Sequence, residues 1–102
     1  MPILFVTYSD EPSMMEFSKN LPQILKETLD VKDFILHSKE KNKFDKLNAN
    51  LQISIFLHPT EDRIKFSEDM LATKIQDALN KRSISKHHVV VHLGTLGVKY
   101  FN

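Results

Sequence analysis

Apolar residues along the chain are grouped into short runs and helix-spaced sets that alternate in a regular order. The first run, Ile3–Tyr8, follows Pro2 directly and predicts a β-strand that is covered on both faces. A second short run at Phe34–His37 also predicts a strand. The segment between them has a helical period, so the first half of the chain is predicted to be strand, helix, strand.

The predicted first helix has apolar residues at three- and four-residue steps from Met14 to Leu29. A capping pattern of the form Ser-x-x-Glu at Ser13–Glu16 indicates its beginning. Pro22 lies inside this segment and lacks the backbone donor that a helix interior needs. The helix is therefore either kinked at Pro22 or begins near Asn20.

The second half of the chain repeats this order. After a polar loop at Lys39–Asn50, Leu51–Leu57 predicts a strand, Ile64–Lys81 a helix and His88–Leu93 a last strand. Adding 49 to the residue number matches the two halves, so that Leu4, Val6, Tyr8, Phe17 and Leu21 fall on Ile53, Ile55, Leu57, Phe66 and Met70. We therefore expect two β-α-β units, at residues 2–38 and 51–93, followed by a tail at 94–102.

Two such units predict an α+β fold. Right-handed crossovers between parallel strands would place both helices on one face of a four-stranded mixed sheet. The alternation in Leu51–His58 makes one side of that strand apolar and the other mixed. A chain of 102 residues with two helices has nothing left to cover the mixed face, so we expect a homo-oligomer.

Length and composition limit the class of protein. The 102 residues correspond to a single domain, and 41% hydrophobic with 26% charged residues are typical of a globular protein. A net charge of +1 gives no general attraction for nucleic acid or an anionic membrane, and no apolar run approaches the roughly 20 residues that span a bilayer. The absence of cysteine excludes disulfides and thiolate chemistry. With no signal-like N-terminus, these features predict a cytoplasmic protein without nucleic-acid or membrane partners.

A proline directly after the initiator methionine, at the start of a duplicated β-α-β fold, resembles the tautomerase superfamily of macrophage migration inhibitory factor and 4-oxalocrotonate tautomerase. The second unit, with strand LQISIFL, then Arg63, the helix and HHVVVHL, is similar to that superfamily's second unit in order and spacing. LPQILKETL and the aromatic tail are most similar to a short, uncharacterised bacterial branch. The resemblance covers nearly the whole chain. It implies a homotrimer with interface pockets that interconverts keto and enol forms of small carboxylated acids without a cofactor.

Pro2 is the catalytic candidate. If Met1 is removed, Pro2 presents a secondary amine, whose neutral form can take a proton from a carbon next to a carbonyl. An α-amino group titrates at about 7.7–8.0 in model peptides, and burial or a nearby cation favours its neutral form. While Met1 is attached, the Pro2 nitrogen is an amide and has no basic lone pair. The alternative is that this proline merely begins an edge strand.

Four further residues are candidates for substrate binding. The Arg63 guanidinium can hold a carboxylate through two hydrogen bonds while its charge favours the neutral amine. Asp62 precedes Arg63 where the related branch usually has glycine. The alternative is therefore that Arg63 is an exposed residue in the first turn of the second helix, with Asp62 as its local partner. Lys32 lies near the position of a substrate-binding lysine in some tautomerases. Tyr100 and Phe101 resemble tail aromatics that line a neighbouring subunit's pocket, although they can equally anchor an interface.

No metal site is predicted. His88 and His92 share one strand face, but four residues at about 3.3 Å each place them about 13 Å apart, too far to bind one ion. The resemblance to the tautomerase superfamily makes a cofactor-free tautomerase or isomerase the leading hypothesis. The alternative is a non-enzymatic oligomeric binding or scaffold protein that keeps the fold without the activity.

Overall fold

The computed structural model describes residues 2–58, 67–84 and 86–94. Along the chain these residues form strand β1 (Ile3–Tyr8), helix α1 (Glu11–Leu29), strands β2 (Ile35–Glu40) and β3 (Leu51–Leu57), helix α2 (Glu68–Lys81) and strand β4 (His87–Leu93). The strands form one sheet in the order β2-β1-β3-β4. β1 is parallel to β2 and β3 to β4, whereas the two central strands are antiparallel. The predicted α+β fold, with two β-α-β units in one mixed sheet, is confirmed.

The hydrophobic core lies between one face of this sheet and the two helices. Alternate residues of β3 are buried, and none of its core-facing side chains is more than 1% exposed. The register places Leu4 opposite Ile55 and Val6 opposite Ile53, so the matched strands of the two units meet at the centre of the sheet. The helices contribute the buried residues Met14, Phe17, Leu21, Ile24 and Leu25 from α1 and Leu71, Ala72, Ile75, Ala78 and Leu79 from α2.

Helix α1 begins earlier than the capping pattern at Ser13 predicts. Asp10 is the N-cap, and its carboxylate accepts a hydrogen bond from the Ser13 backbone N–H at 3.1 Å. Pro12 occupies the first turn, where a helix has no acceptor for its N–H groups. The helix then continues past Pro22, so the predicted start near Asn20 is wrong.

The other boundaries differ from the prediction by a few residues. The second strand, predicted at Phe34–His37, extends to Glu40, because parallel backbone pairing with β1 continues through its polar residues. Helix α2 begins at Glu68 after a serine N-cap, and residues 64–66 of the predicted helix lie outside the described residues. Strand β4 begins one residue earlier than predicted, at His87.

The two helices are linked by an ion pair. Arg82, directly after α2, donates a hydrogen bond to the Glu27 carboxylate of α1 at 2.8 Å. This hydrogen bond lowers the pKa of Glu27 and raises the pKa of Arg82. Neither of the two described helices is both long and apolar enough to cross a membrane.

The sheet has a second face that no described element covers. All buried strand residues point to the helices, whereas the alternate residues are partly or fully exposed. We call this surface the open face. Its strand residues are Ile3, Phe5, Thr7, Ile35, His37, Lys39, Gln52, Ser54, Phe56, His88, Val90 and His92.

Candidate active site at one end of the sheet

Pro2 lies directly before the central strand β1 and is buried. Its carbonyl oxygen accepts a hydrogen bond from the Ile35 backbone N–H at 3.0 Å. The next residue, Ile3, is opposite Ile35 of β2 on one side and Phe56 of β3 on the other. Proline has no N–H, so its place at the beginning of a strand removes no donor from the sheet interior. Pro2 is therefore held between the beginning of β2 and the end of β3.

The strand directions bring four chain segments to the end of the sheet where Pro2 lies. β1 and β2 begin at this end, and β3 and β4 finish there. The beginning of α2 is at the same end, because the Leu93 N–H donates to the Glu68 carboxylate at 2.8 Å. The Gly94 N–H donates to the Leu57 carbonyl at 2.9 Å, which fixes the end of β4 beside the end of β3.

Lys32 is the second predicted site residue that the structure places. Helix α1 ends at Leu29, and its C-cap Asp30 has a left-handed conformation (φ 53°) and donates its N–H to the Lys26 carbonyl at 3.1 Å. Lys32 then lies in the short connection from α1 to the beginning of β2 and is exposed. The structure therefore brings Lys32 to the same end of the sheet as Pro2.

The other three predicted site residues lie outside the described residues. Arg63 belongs to the segment between His58, at the end of β3, and Ser67, the N-cap of α2, and both of these flanking residues are at the Pro2 end. Tyr100 and Phe101 belong to the segment that follows β4, which ends there as well. The described residues that flank these segments adjoin the Pro2 end of the sheet, and both the placement and the roles of the three residues stay predictions.

The open face carries a row of four aromatic rings that the sequence analysis did not predict. His37 stacks on Phe5 with ring centroids 5.1 Å apart, and Phe56 stacks on His92 at 4.6 Å. Phe5 and Phe56 meet edge to face at 5.7 Å. The row crosses all four strands in their spatial order. Alternation in the sequence placed Phe56 and His92 on mixed strand faces, but the contacts between strands depend on the sheet register.

The polar groups of the open face are mostly neutral. The side-chain amide of Gln52 lies 2.7 Å from Nδ1 of His88, within hydrogen-bond distance. Lys39 is the one charged side chain among the described strand residues of this face, which include no carboxylate. A shallow cavity of about 130 Å³ between β1 and β2 is lined by Phe5, Thr7 and His37 together with Lys39.

His87 faces the helices instead. Its Nε2 atom lies 3.2 Å from the Asn80 side-chain oxygen, and its Nδ1 atom is buried without a hydrogen-bond partner. Burial disfavours the charged imidazolium and lowers the pKa of His87. Within the described ranges, no three His, Asp or Glu side chains come together as metal ligands.

Comparison with known proteins bears on the fold. No protein-family model and no curated protein matches the sequence. The crystal structure of MIF2 from Leishmania major matches with a TM-score of 0.56 and 15% identity over 91% of this chain and 88% of that chain. The wild-type fused 4-OT protein W0, a symmetric trimer, matches with a TM-score of 0.57 and 15% identity over 89% of this chain and 85% of that chain. The chain therefore has the fold of the tautomerase superfamily, and the predicted resemblance is confirmed at the level of the fold. The resemblance to a bacterial branch stays a prediction.

Proposed function

We propose that this chain is a cofactor-free tautomerase that moves a proton between the keto and enol forms of a small carboxylated acid, with Pro2 as general base. The observation that carries the proposal is the burial of Pro2 at the start of a central strand in a tautomerase-superfamily fold. Removal of Met1 frees a secondary amine at this position. A buried amine is separated from the water that stabilises its charged form, so its neutral form is favoured.

The proposed reaction needs only proton transfer. The Pro2 nitrogen takes a proton from the carbon next to the substrate carbonyl, and the electrons of the broken C–H bond form a carbon–carbon double bond. The carbonyl π electrons move to oxygen and give an enolate. The protonated amine then returns the proton to that oxygen, which completes the enol and restores the base.

A carboxylated substrate and its enolate intermediate need positive charge near the base. We propose Arg63 as the anchor for the substrate carboxylate and Lys32 as a further cation beside it. Tyr100 and Phe101 would contact the apolar part of the substrate. The support for this set is topological: the segments that carry these residues all adjoin the end of the sheet that begins at Pro2.

We also propose that all 102 residues form one domain that assembles as a homotrimer in the cytoplasm. The open face lacks a cover among the described elements, and the similar fused 4-OT protein is a symmetric trimer. Sedimentation equilibrium should give three times the mass of the chain. A monodisperse monomer would contradict an interface pocket.

Two preparations of the protein test the role of Pro2. One chain begins at Pro2, verified by an intact mass that is one methionine lower, and the other carries one additional residue before Pro2. Enolisation of phenylpyruvate should be about 10²–10⁴-fold faster with the first preparation, which is the usual contribution of a positioned base. Equal rates would overturn the role of Pro2 and favour the alternative of a scaffold protein with the tautomerase fold.

Two cation variants test the binding residues. Arg63→Ala should raise KM for a carboxylated substrate, and Lys32→Ala should have a smaller effect of the same kind. Lys46→Ala is the matched control, because Lys46 is exposed in the loop at the opposite end of the sheet. Unchanged KM in Arg63→Ala would remove Arg63 from the site.

A further inference from the structure

We infer that Glu68 is a positioning residue of the proposed active site, because its carboxylate fixes the beginning of α2 to the end of β4. Two segments with predicted binding residues adjoin this contact. Residues 59–66, which include Arg63, lead into the beginning of α2, and the aromatic tail follows Gly94. The inference rests on the proposed function and adds one residue to it.

The contact lies at the level of Pro2 in the sheet. Ile3 pairs with Phe56, so Pro2 and Leu57 come next on these two strands. Leu57 pairs in turn with Leu93 of β4. Neighbouring strands are about 4.8 Å apart, which places the Leu93 backbone about 10 Å from that of Pro2. This distance is comparable with the length of phenylpyruvate, so the end of β4 can border a substrate bound at Pro2.

The Glu68 carboxylate bonds to the strand and not to its own helix. Ser67 already caps α2, since its hydroxyl oxygen accepts a hydrogen bond from the Met70 N–H at 3.1 Å. The Glu68 carboxylate instead accepts a hydrogen bond from the Leu93 N–H at 2.8 Å. Because the Gly94 N–H bonds to β3, the Leu93 N–H points to the outer edge of β4, where no strand of the described chain pairs with it. Glu68 is therefore the acceptor for this strand end.

This hydrogen bond sets the spacing of the two points from which the binding segments continue. Glu68 follows the cap at which the segment with Arg63 ends, and Leu93 directly precedes Gly94, from which the tail continues. A hydrogen bond to a charged carboxylate is about twice as strong as one between neutral groups. An error of about 1 Å in the position of a binding group can cost up to about 10²-fold in rate. Loss of the bond should therefore impair substrate binding.

The proposed base and the helix itself are held by other contacts. Pro2 precedes β1, two strands away from β4, and its carbonyl oxygen accepts the Ile35 N–H. Helix α2 packs on the sheet through its buried residues, among which Leu71 and Ile75 are no more than 2% exposed. A change at the exposed Glu68 should therefore leave the base and the fold in place and act on substrate binding.

Steady-state enolisation of phenylpyruvate by chains that begin at Pro2 tests the inference. Glu68→Ala should raise KM at least about threefold and leave kcat within about twofold, because the change affects binding and not the base. Glu68→Gln should return KM to about the wild-type value, since its side-chain oxygen can accept the Leu93 N–H. Asp69→Ala is the matched control, because it removes the other carboxylate of the same helical turn and should leave KM unchanged. Hydrogen exchange of the Leu93 amide, followed by NMR, should be faster in Glu68→Ala than in Glu68→Gln.

The outcomes separate this inference from the proposed function. In an active enzyme, an unchanged KM in Glu68→Ala, no recovery in Glu68→Gln or an equal effect of Asp69→Ala would overturn the positioning role alone. A wild-type chain that begins at Pro2 and has no enolisation activity would overturn the proposed function and the inference with it. If Glu68→Ala fails to fold, Glu68→Ser replaces it with the same expected rise in KM, because serine suits the beginning of a helix and is too short to reach Leu93.

Discussion

Replacing Pro22 with alanine tests how α1 accommodates a proline in its interior. Pro22 is exposed and lies near the middle of a 19-residue helix whose buried residues continue on both sides of it. Its ring removes the hydrogen bond to the Ser18 carbonyl and crowds that carbonyl. An interior proline costs about 3 kcal/mol relative to alanine. Because the proline side chain is outside the core, Pro22→Ala should lose no buried contact and raise the free energy of unfolding by about 2–3 kcal/mol.

Urea unfolding followed by circular dichroism measures this gain. All samples need the same protein concentration, because association with other copies adds to apparent stability. In a thermal scan, the same gain corresponds to a rise in Tm of about 10–20 °C for a domain of this size. Pro12→Ala is the matched control within the same helix. Pro12 lies in the first turn, where its missing N–H has no acceptor, so this variant should be neutral or slightly less stable.

A gain below about 0.5 kcal/mol for Pro22→Ala would refute the reasoning, since it lies within the range of ordinary surface substitutions. It would mean that α1 needs a bend at Pro22 for both of its halves to reach the sheet. Equal gains in Pro22→Ala and Pro12→Ala would also refute it, because the effect would then not depend on the interior hydrogen bond.

Three further changes test the packing around the sheet. Burial lowers the pKa of His87, so the unfolded chain binds a proton more readily than the folded chain, and the free energy of unfolding falls as the pH drops below about 6.5. His87→Gln should reduce this loss of stability in urea titrations between pH 7.5 and 5.0. The same dependence of unfolding free energy on pH in the variant and the wild type would contradict this prediction. Asp10→Ala removes the N-cap acceptor of α1 and should cost about 1 kcal/mol in urea unfolding, whereas an unchanged midpoint would assign the cap to another residue. Phe17→Ala, at a fully buried position, should lower the free energy of unfolding by about 3–5 kcal/mol. Phe44→Ala, at an 80% exposed position, should change it by no more than about 0.5 kcal/mol. Similar losses of stability for the two variants in urea unfolding would contradict the assignment of the core.

The repeated pattern of the chain made most of the fold predictable. The offset that matched Leu4 with Ile53 and Val6 with Ile55 identified two equivalent strands, and these strands are neighbours at the centre of the sheet. Alternation in β3 predicted which side is buried, because a strand changes face at every residue. These signals are local in the sequence and occur in both halves of the chain, so the β-α-β order could be recognised without knowledge of the contacts between the strands.

The element ends were less predictable because several residues compete for them. Both Asp10 and Ser13 can cap a helix, and the Ser13 hydroxyl in fact donates to the Asp10 carboxylate instead of capping the helix itself. The strand β2 continues to Glu40 through polar residues, because its backbone pairs with β1 whatever its side chains are. Local sequence propensity alone does not determine these element ends, because they depend on tertiary contacts.

The candidate site was predictable as a set of residues but not as a geometry. The position of Pro2 follows from the sequence, whereas its burial follows from β1 being a central strand with neighbours on both sides. The contacts of His37 with Phe5 and of His92 with Phe56 depend on which strands are adjacent and on their register. A prediction of the open face therefore needs the strand order, which no single strand encodes.

Chemical labelling of Pro2 is the most direct test of the proposed base. Near neutral pH, an amine-directed reagent reacts with neutral amines in preference to protonated lysines, so intact mass and peptide mapping report whether Pro2 carries a free, neutral nitrogen. For the chain that begins at Pro2, we predict one modification per chain, at Pro2, and a loss of enolisation activity equal to the fraction labelled. Full activity after complete labelling of Pro2 would contradict the account.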